Sequence, residues 1–418
     1  MTGYTSSFGS GATDGLLVKT DANGNLQWAK NFGGTDADGG GFVRQTSDGG
    51  FIVTGYSYDA SGSNPDLLLM KTDGSGNVSW AKTYGGISYE AGYCVSQNSD
   101  GGYIVAGYTA SYAPGGYNIF LLRTDSAGTL TWAKSAGGGV TDIGNWVEQT
   151  ADGGFIVAGY TLSYGAGGSD VFLAKTDSNG TAQWVKTYGT TLADGGFCVK
   201  AVSGGYVVSG YSMVSTGNED ALLISTDSSG NILWSKTYGG ISTERAYTVQ
   251  PSADGGYILG GFTGSFGSSP YDLYLIKTNN TGYSGCNENS SALSTFPAPF
   301  TATTPSPAVA SGISSGNPSV VTGSGCLIST PCIATGTIDV QAKEFLLYPN
   351  PTSSSIKLIA EAGNYFLSIK NTLGETVLIK SVTEKEFSVD VKDFPSGIYF
   401  VSITDQKKNM VVKKFVKM

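Results

Sequence analysis

The chain has 418 residues, enough for two or three domains, and only 14% of them are charged, against about 25% in an average globular protein. It holds 62 Gly and no His, which excludes a Ser-His-Asp triad, a Cys-His pair and any His-ligated metal. The net charge of -9 is uneven: from Lys343 onward 11 Lys face 8 acids, a net +3, so the rest carries -12 and makes a poor nucleic-acid surface.

The chain opens with MTGYTSSFGS, which lacks the charged and apolar regions of a signal peptide. No run of 18 apolar residues predicts a membrane-spanning helix. Trp28, Trp80, Trp132, Trp184 and Trp234 then recur at spacings of 52, 52, 52 and 50. A fixed period near 50 denotes one supersecondary unit repeated. Residues 92–137 show its parts. GYCVSQ reads as a first strand and NSDGG as a hairpin turn in which Gly takes positive φ cheaply. YIVAGYT is a second strand. After a loop rich in Gly, Ser and Tyr, NIFLLRT is a continuous apolar run, as expected of a strand buried on both faces. DSAG turns the chain into a fourth strand, TLTWAKSAG.

Four strands in about 50 residues, repeated, predict the blade of a β-propeller in an all-β protein. No segment has the 3.6 period of a helical solenoid, and a β-helix coil would be about half as long. The third-strand phrase occurs six times, at Leu16, Leu67, Ile119, Val171, Ala221 and Leu273, but the first strand only five times. Residues 1–285 therefore read as six blades, the first truncated and the last divergent, with Cys286 standing where Trp is due; a parent array of seven is the alternative. Each Trp is expected to pack into the next blade with its N–H on a backbone acceptor.

The stretch TDIGNWVEQTADGGFIVAGYTLSYGAGGSDVFLAKTDSNGTAQWVKTYG resembles the repeats of bacterial β-propeller proteins throughout. Its segment Asp177 to Trp184 is also similar to the docking motif of quinoprotein dehydrogenase propellers, one residue shorter, which implies shared architecture and not quinone chemistry. Residues 286–340 are Ser, Thr, Pro, Ala and Gly with almost no charge. That composition predicts a linker or extended stalk, or a strand given to the open last blade.

Residues 341–418 contain NYFLSIKN, EFSVDVKD and GIYFVSITD, which alternate as half-buried strands do and suit a small Ig-like β-sandwich. LLYPNPTSSSIKL, YFLSIKNTLGETVL, DFPSGIYFVSI and the basic KKFVKM resemble, in order and spacing, the type A (Por) sorting domain of the type IX secretion system. The resemblance assigns the signal to Tyr348, Pro349, Asn350, Pro351, Gly397, Tyr399, Lys413 and Lys414. It implies an outer-membrane translocon as partner and a secreted or surface-attached protein of a Gram-negative bacterium. Such export begins with a signal peptide, so its absence and the missing first strand lead to the expectation of an N-terminally truncated sequence.

Candidate sites fall into sets. Asp38, Glu90, Asp142, Asp194 and Glu244 precede the first strands at gaps of 52, 52, 52 and 50, and symmetry predicts a ring near one channel mouth. Such a ring either holds a cation, for which calcium suits carboxylate oxygens, or satisfies backbone N–H groups in each blade's own connection. The balance favours the second reading, with no cofactor. Asp14, Asp66, Asp170, Asp220 and Asp272 open the third strands, and Asn118 replaces them once, which favours local hydrogen bonding. DANGN at Asp21 and its copies read as turns, since the Gly is fourth and Phe32 stands where a calcium loop needs Glu.

Tyr58, Tyr112, Tyr117, Tyr164, Phe266 and Tyr271 stand in the variable second-to-third loops, as contacts for a sugar or protein surface or as packing over their own loops. Glu148 and Glu219 are the acids outside the repeat pattern, and neither has an evident partner. Arg44, Glu148 and Lys200 share a slot that points to the channel. Cys94 and Cys198 occupy one apolar repeat slot and read as buried thiols. Among Cys286, Cys326 and Cys332, a bridge from Cys286 to Cys326 or Cys332 is expected, in an oxidising compartment. With no unique catalytic set, the functional reading is a surface module that binds a polysaccharide or protein; the alternative is a glycan-processing enzyme, an endoglucanase-like hydrolase or a lyase.

Overall fold

Alternating strands and Asp-Gly turns produce many small antiparallel sheets and no helix among the described residues of the computed structural model. These are residues 1–7, 12–58, 64–267, 270–297, 302–303, 308–310, 314–316, 346–359, 364–371, 375–405 and 410–418. Residues 2–278 form six sheets in a propeller-like series, numbered here as blades 1 to 6. Blade 4 is typical: Asp142–Gln149, Phe155–Thr161, Asp170–Thr176 and Ala182–Gly189 pair in chain order. Blade 1 has Thr2–Thr5, Asp14–Thr20 and Leu26–Gly33, and so begins at the second-strand position. Blade 6 has Glu244–Pro251, Tyr257–Thr263 and Asp272–Thr278, and stops after the third.

The turn between third and fourth strands repeats one bond set. Asp177 Oδ1 accepts from the backbone N–H of Asn179 at 2.9 Å and Thr181 at 2.8 Å, and Gly180 takes φ of 75°. Asp21 does the same toward Asn23 and Asn25, so its carboxylate is spent on its own turn. The next-blade packing of Trp follows from this turn. The Trp132 ring lies 5.9 Å from that of Phe155, and its Nε1 donates to Ser178 O at 3.2 Å. A Cβ on Gly180 would come within 2.9 Å of that indole. Trp28, Trp80, Trp184 and Trp234 lie in the same way against Gly76, Gly128, Gly230 and Gly282. Tyr84, Tyr188 and Tyr238 add a buried hydroxyl bond to the carbonyls of Gly128, Gly230 and Gly282.

The core lies between blades. Val171 and Leu173 of blade 4, both fully buried, belong to one cluster with Leu222 and Ile224 of blade 5. Burial of such side chains stabilises by roughly 1.5–3 kcal/mol each. This explains why the third strands read as unbroken apolar runs.

Each first strand is broken by a β-bulge at the same place, between Gly40 and Phe42, Gly92 and Cys94, Gly144 and Trp146, Gly196 and Cys198, and Ala246 and Thr248. The extra residue is Gly41, Tyr93, Asn145, Phe197 or Tyr247. A bulge re-aims a side chain out of the ladder.

The start of the 286–340 segment departs from the stalk expectation and from donation to the last blade. After Gly282 the chain leaves blade 6 and runs back along the outer edges of the other five. Glu288–Ser290 pairs with blade 5, Ser294–Pro297 with blade 4, Ala302–Thr303 with blade 3, Ala308–Ala310 with blade 2 and Ser314–Gly316 with blade 1. Backbone pairing needs no particular side chains, so a Ser/Thr/Ala/Pro segment can cap edges it could not build.

The chain divides into two compact units, Met1–Ala334 and Thr335–Met418. The second has two sheets: Leu346–Tyr348, Ser355–Ile359 and Glu386–Asp390 in one, and Thr376–Val382, Tyr365–Asn371, Gly397–Asp405 and Met410–Lys417 in the other. Ile356, Leu358, Leu367, Ile369, Val401 and Phe415 form its core.

Candidate functional site

The acids before the first strands are buried and engaged one blade at a time. Glu90 accepts from Gly86 N at 2.9 Å, Thr109 Oγ1 at 2.6 Å and Ser111 N at 3.0 Å. Asp142 accepts from Gly138 N, Ser163 Oγ and the Thr161 hydroxyl. Glu244 accepts from Gly240, Gly264 and Ser265 N–H groups and from Thr263 Oγ1. Asp38 and Asp194 accept from the N–H of Gly34 and Thr190, at 2.7 Å each. The donor lies four residues before the acid each time, so the carboxylate ties the entry to its strand.

The acids that open the third strands meet these. A Cβ on Gly239 would be 2.3 Å from Asp220 and 2.6 Å from Glu244, and one on Gly85 would be 1.8 Å from Asp66 and 2.8 Å from Glu90. Glycine is required there because two carboxylates fill the space. Burial first, then Asp194, pushes the Asp170 carboxyl up to about 6; burial and Glu244 do the same to Asp220. Among the described residues no three His, Cys, Asp or Glu side chains converge as a metal site would need.

The loop aromatics divide. Tyr112 Oη donates to Gly85 O at 3.0 Å and Tyr164 Oη to Gly137 O at 3.2 Å, bridging to the preceding blade. Phe266 packs on buried Tyr274 at 5.7 Å. These three serve packing. Tyr58, Tyr117 and Tyr271 instead join a larger set that the sequence reading passed over. Every second strand carries an aromatic in a Gly-aromatic-Ser/Thr motif: Tyr4, Tyr56, Tyr108, Tyr160, Tyr211 and Phe262. In blade 3, Tyr108 lies 5.5 Å from the bulge residue Tyr93 and 4.8 Å from Tyr117. In blades 5 and 6, Phe197 lies 5.6 Å from Tyr211 and 4.9 Å from Tyr247; Phe262 lies 5.8 Å from Tyr247 and 5.0 Å from Tyr271. Tyr56 and Tyr58 meet edge to face at 6.3 Å. Burial raises the phenol pKa of Tyr160, and Tyr93 and Tyr211 on either side add to it. Ring contacts thus run through blade 3 and from blade 5 into blade 6, Tyr160 holds the same position in blade 4, and Tyr93, Tyr247 and Tyr271 are exposed.

Polar groups frame this row. Arg245 holds Glu219 in a two-point ion pair at 2.5 and 2.9 Å and lies 4.5 Å from the Tyr211 ring. Asn145 Nδ2 donates to Gly196 O at 2.8 Å. Glu219 is therefore not unpartnered, and neither is Glu148, which pairs with Lys200 at 2.6 Å. Deeper in, Phe42 of blade 2 meets Trp146 of blade 4 at 5.1 Å, and Arg44 and Lys200 lie over the indole at 5.3 and 4.9 Å. The slot read as channel-facing is filled by this cation–aromatic plug. Cys94 and Cys198 beside it are free, buried thiols, and burial pushes Cys94 up to about 12. Cys286 is not a free thiol; Cys326 and Cys332 lie outside the described residues.

In the second unit, Asn350 Nδ2 donates to Lys414 O at 3.0 Å, and Asn350 Oδ1 accepts from Val416 N at 2.9 Å. The YPNP turn is thereby pinned to the final strand, with Tyr348 and Lys414 exposed. Tyr399 is buried, stacks on Phe415 at 5.4 Å and donates to Pro395 O at 2.8 Å.

Residues 346–418 match the family described as secretion system C-terminal sorting domain. No curated protein matches the chain. Among solved structures, PorZ, a surface component of the type IX secretion system of Porphyromonas gingivalis, is similar at 12% identity and a TM-score of 0.35, over 97% of this chain and 56% of that one. Two extracellular-domain structures of BT4673 from B. thetaiotaomicron, described as a one-component and a hybrid two-component system, each show 9% identity. Their TM-scores are 0.29 and 0.31, over 96% and 98% of this chain and 56% and 54% of theirs. The chain thus spans about half the length of the structures it matches. Residues 346–418 are a sorting domain of type IX secretion, and the protein that carries them is exported to the cell surface.

Proposed function

We propose that the propeller-like unit is a non-catalytic binding module, displayed at the outer-membrane surface, that takes a polysaccharide against its aromatic row. The carrying observation is the pair of ring clusters on these strands, Tyr93, Tyr108 and Tyr117 in blade 3 and Phe197, Tyr211, Tyr247, Phe262 and Tyr271 across blades 5 and 6. Aromatic faces stack on the apolar faces of sugar rings, and phenol hydroxyls donate to ring oxygens. An extended chain of sugars suits a row that repeats once per blade. Cys286, which is not a free thiol, supports a bridge from the start of the edge-capping segment to Cys326 or Cys332.

A glycan array probed with the intact protein tests the reading. Tyr93→Ala and Tyr247→Ala should each weaken a positive signal about tenfold, the order of one lost stacking contact. No binding to any glycan, or binding unchanged in the double variant, overturns it. Reducing-sugar release with turnover would replace it by the glycan-processing reading.

A further inference from the structure

Blade 5 is built without a plug that blades 3, 4 and 6 carry. In those three blades the loop after the second strand folds an aromatic back over its own blade. Tyr112 and Tyr164 bond the carbonyls of Gly85 and Gly137, and Phe266 packs on Tyr274. A glycine makes room each time. A Cβ on Gly86 or Gly138 would be 3.0 or 3.1 Å from the Tyr hydroxyl, and one on Gly240 would be 3.2 Å from the Phe266 ring. Blade 5 changes all three parts. Its second and third strands, Gly205–Ser215 and Asn218–Asp227, are joined by Thr216 and Gly217 alone, so the aromatic loop is gone. Thr190 stands at the position of Gly86, Gly138 and Gly240. Leu222 replaces Phe120 and Tyr274, the rings on which Tyr112 and Phe266 lie.

The result is a cavity of about 510 Å³ between the Thr190–Leu192 connection, the blade 5 hairpin and the edge-capping segment at Asn289–Ala292. Small-molecule sites occupy roughly 300–1,000 Å³. Leu192 and Met213 give the cavity an apolar side, and Asn289 and Ser290 a polar one. At its wall Asp220 is 3% exposed, and its Oδ1 has no hydrogen-bond partner. A buried acceptor without a donor is costly, and a ligand hydroxyl would supply the donor. Among the described residues no Lys or Arg lines the cavity, and Glu244 stands beside Asp220, so an anionic ligand is repelled. A sugar ring has the matching chemistry, an apolar C–H face and a rim of hydroxyls. We infer that this cavity is a second sugar site, which takes one neutral hexose ring with a hydroxyl donated to Asp220. It shares no residue with the aromatic row, so either site can fail alone.

Saturation-transfer NMR of the full chain with glucose, galactose and mannose is the test, with glucuronate as the anionic control. At least one of the neutral hexoses should bind. Val214→Trp, at an exposed position on the cavity wall, should abolish binding by returning an aromatic to the space. Asp220→Asn, an exchange that Asn118 shows the repeat accepts, should weaken binding about tenfold, the order of one hydrogen bond to a charged group. The double variant Tyr93→Ala, Tyr247→Ala should bind the hexose unchanged. No hexose binding, binding that survives Val214→Trp, loss in the double variant, or glucuronate held as tightly as the hexose overturns the proposal and leaves the aromatic row standing.

Discussion

Blades 4 and 6 are written in nearly the same sequence and live in different surroundings. DVFLAKT in blade 4 is buried along its whole length, whereas DLYLIKT in blade 6 alternates, with Leu273, Leu275 and Lys277 exposed. Strand formation thus follows from pattern and turn chemistry, while the stability a strand contributes depends on whether a neighbour covers it.

The sharpest way to break the comparison is to cut the same side chain in both blades. Leu173→Ala should destabilise the unit by about 2–5 kcal/mol, since the next blade cannot fully collapse onto the cavity. Leu275→Ala should cost less than about 0.5 kcal/mol at dilute protein. Equal effects in chemical denaturation would mean that blade 6 is covered too.

The acids come next. Asp142→Ala should cost about 1–3 kcal/mol by leaving the Gly138 N–H without its acceptor. Calcium should leave the melting temperature unchanged in both proteins. A calcium-dependent rise that vanishes in Asp142→Ala would make the acids a cation site.

The paired carboxylates titrate in a stated direction. Asp170 and Asp220 have folded pKa values of about 6, above the unfolded value. The native state therefore holds more protons between about pH 4 and 6. Their contribution is fully present below pH 4 and is lost as pH rises through 6. Asp170→Asn or Asp220→Asn should flatten that slope and stabilise the protein at pH 7 by about 1–2 kcal/mol each. Asn118 shows that the site accepts an amide, since it stands beside Asp142 in blade 3. Denaturant midpoints that do not vary between pH 4 and 7 would contradict this.

The smallest effect concerns Tyr84, whose buried hydroxyl bonds Gly128 O. Tyr84→Phe should cost about 0.5–1.5 kcal/mol, the net worth of one buried hydrogen bond. Blade 3 has Ala136 in that slot, buried without such a hydroxyl bond.

Much of this molecule was legible in its sequence because a repeat prints each structural rule several times. The Trp period located the blades, and the Gly three residues after the turn's Asp located the hairpins. The Asn at 118 showed that charge was dispensable beside the first-strand acid. The aromatic row left a signal as well, the Gly-aromatic-Ser/Thr motif of the second strands, but it reads as ordinary strand until the bulge turns Tyr93, Phe197 and Tyr247 toward it. Glu148 and Glu219 looked unpartnered because Lys200 and Arg245 lie 52 and 26 residues away.

By itself, the sequence determined local form: strand, turn, blade period, the sorting domain and the charge contrast between the two parts. Those features depend on neighbours within a few residues or on exact repetition. Tertiary structure alone decided where Glu288–Ser290, Ser294–Pro297, Ala302–Thr303, Ala308–Ala310 and Ser314–Gly316 go, because backbone pairing along blade edges leaves no mark on side-chain pattern. It also decided which apolar strands are covered. Burial belongs to the neighbour as much as to the strand, and Leu275 differs from Leu173 in what stands next to it.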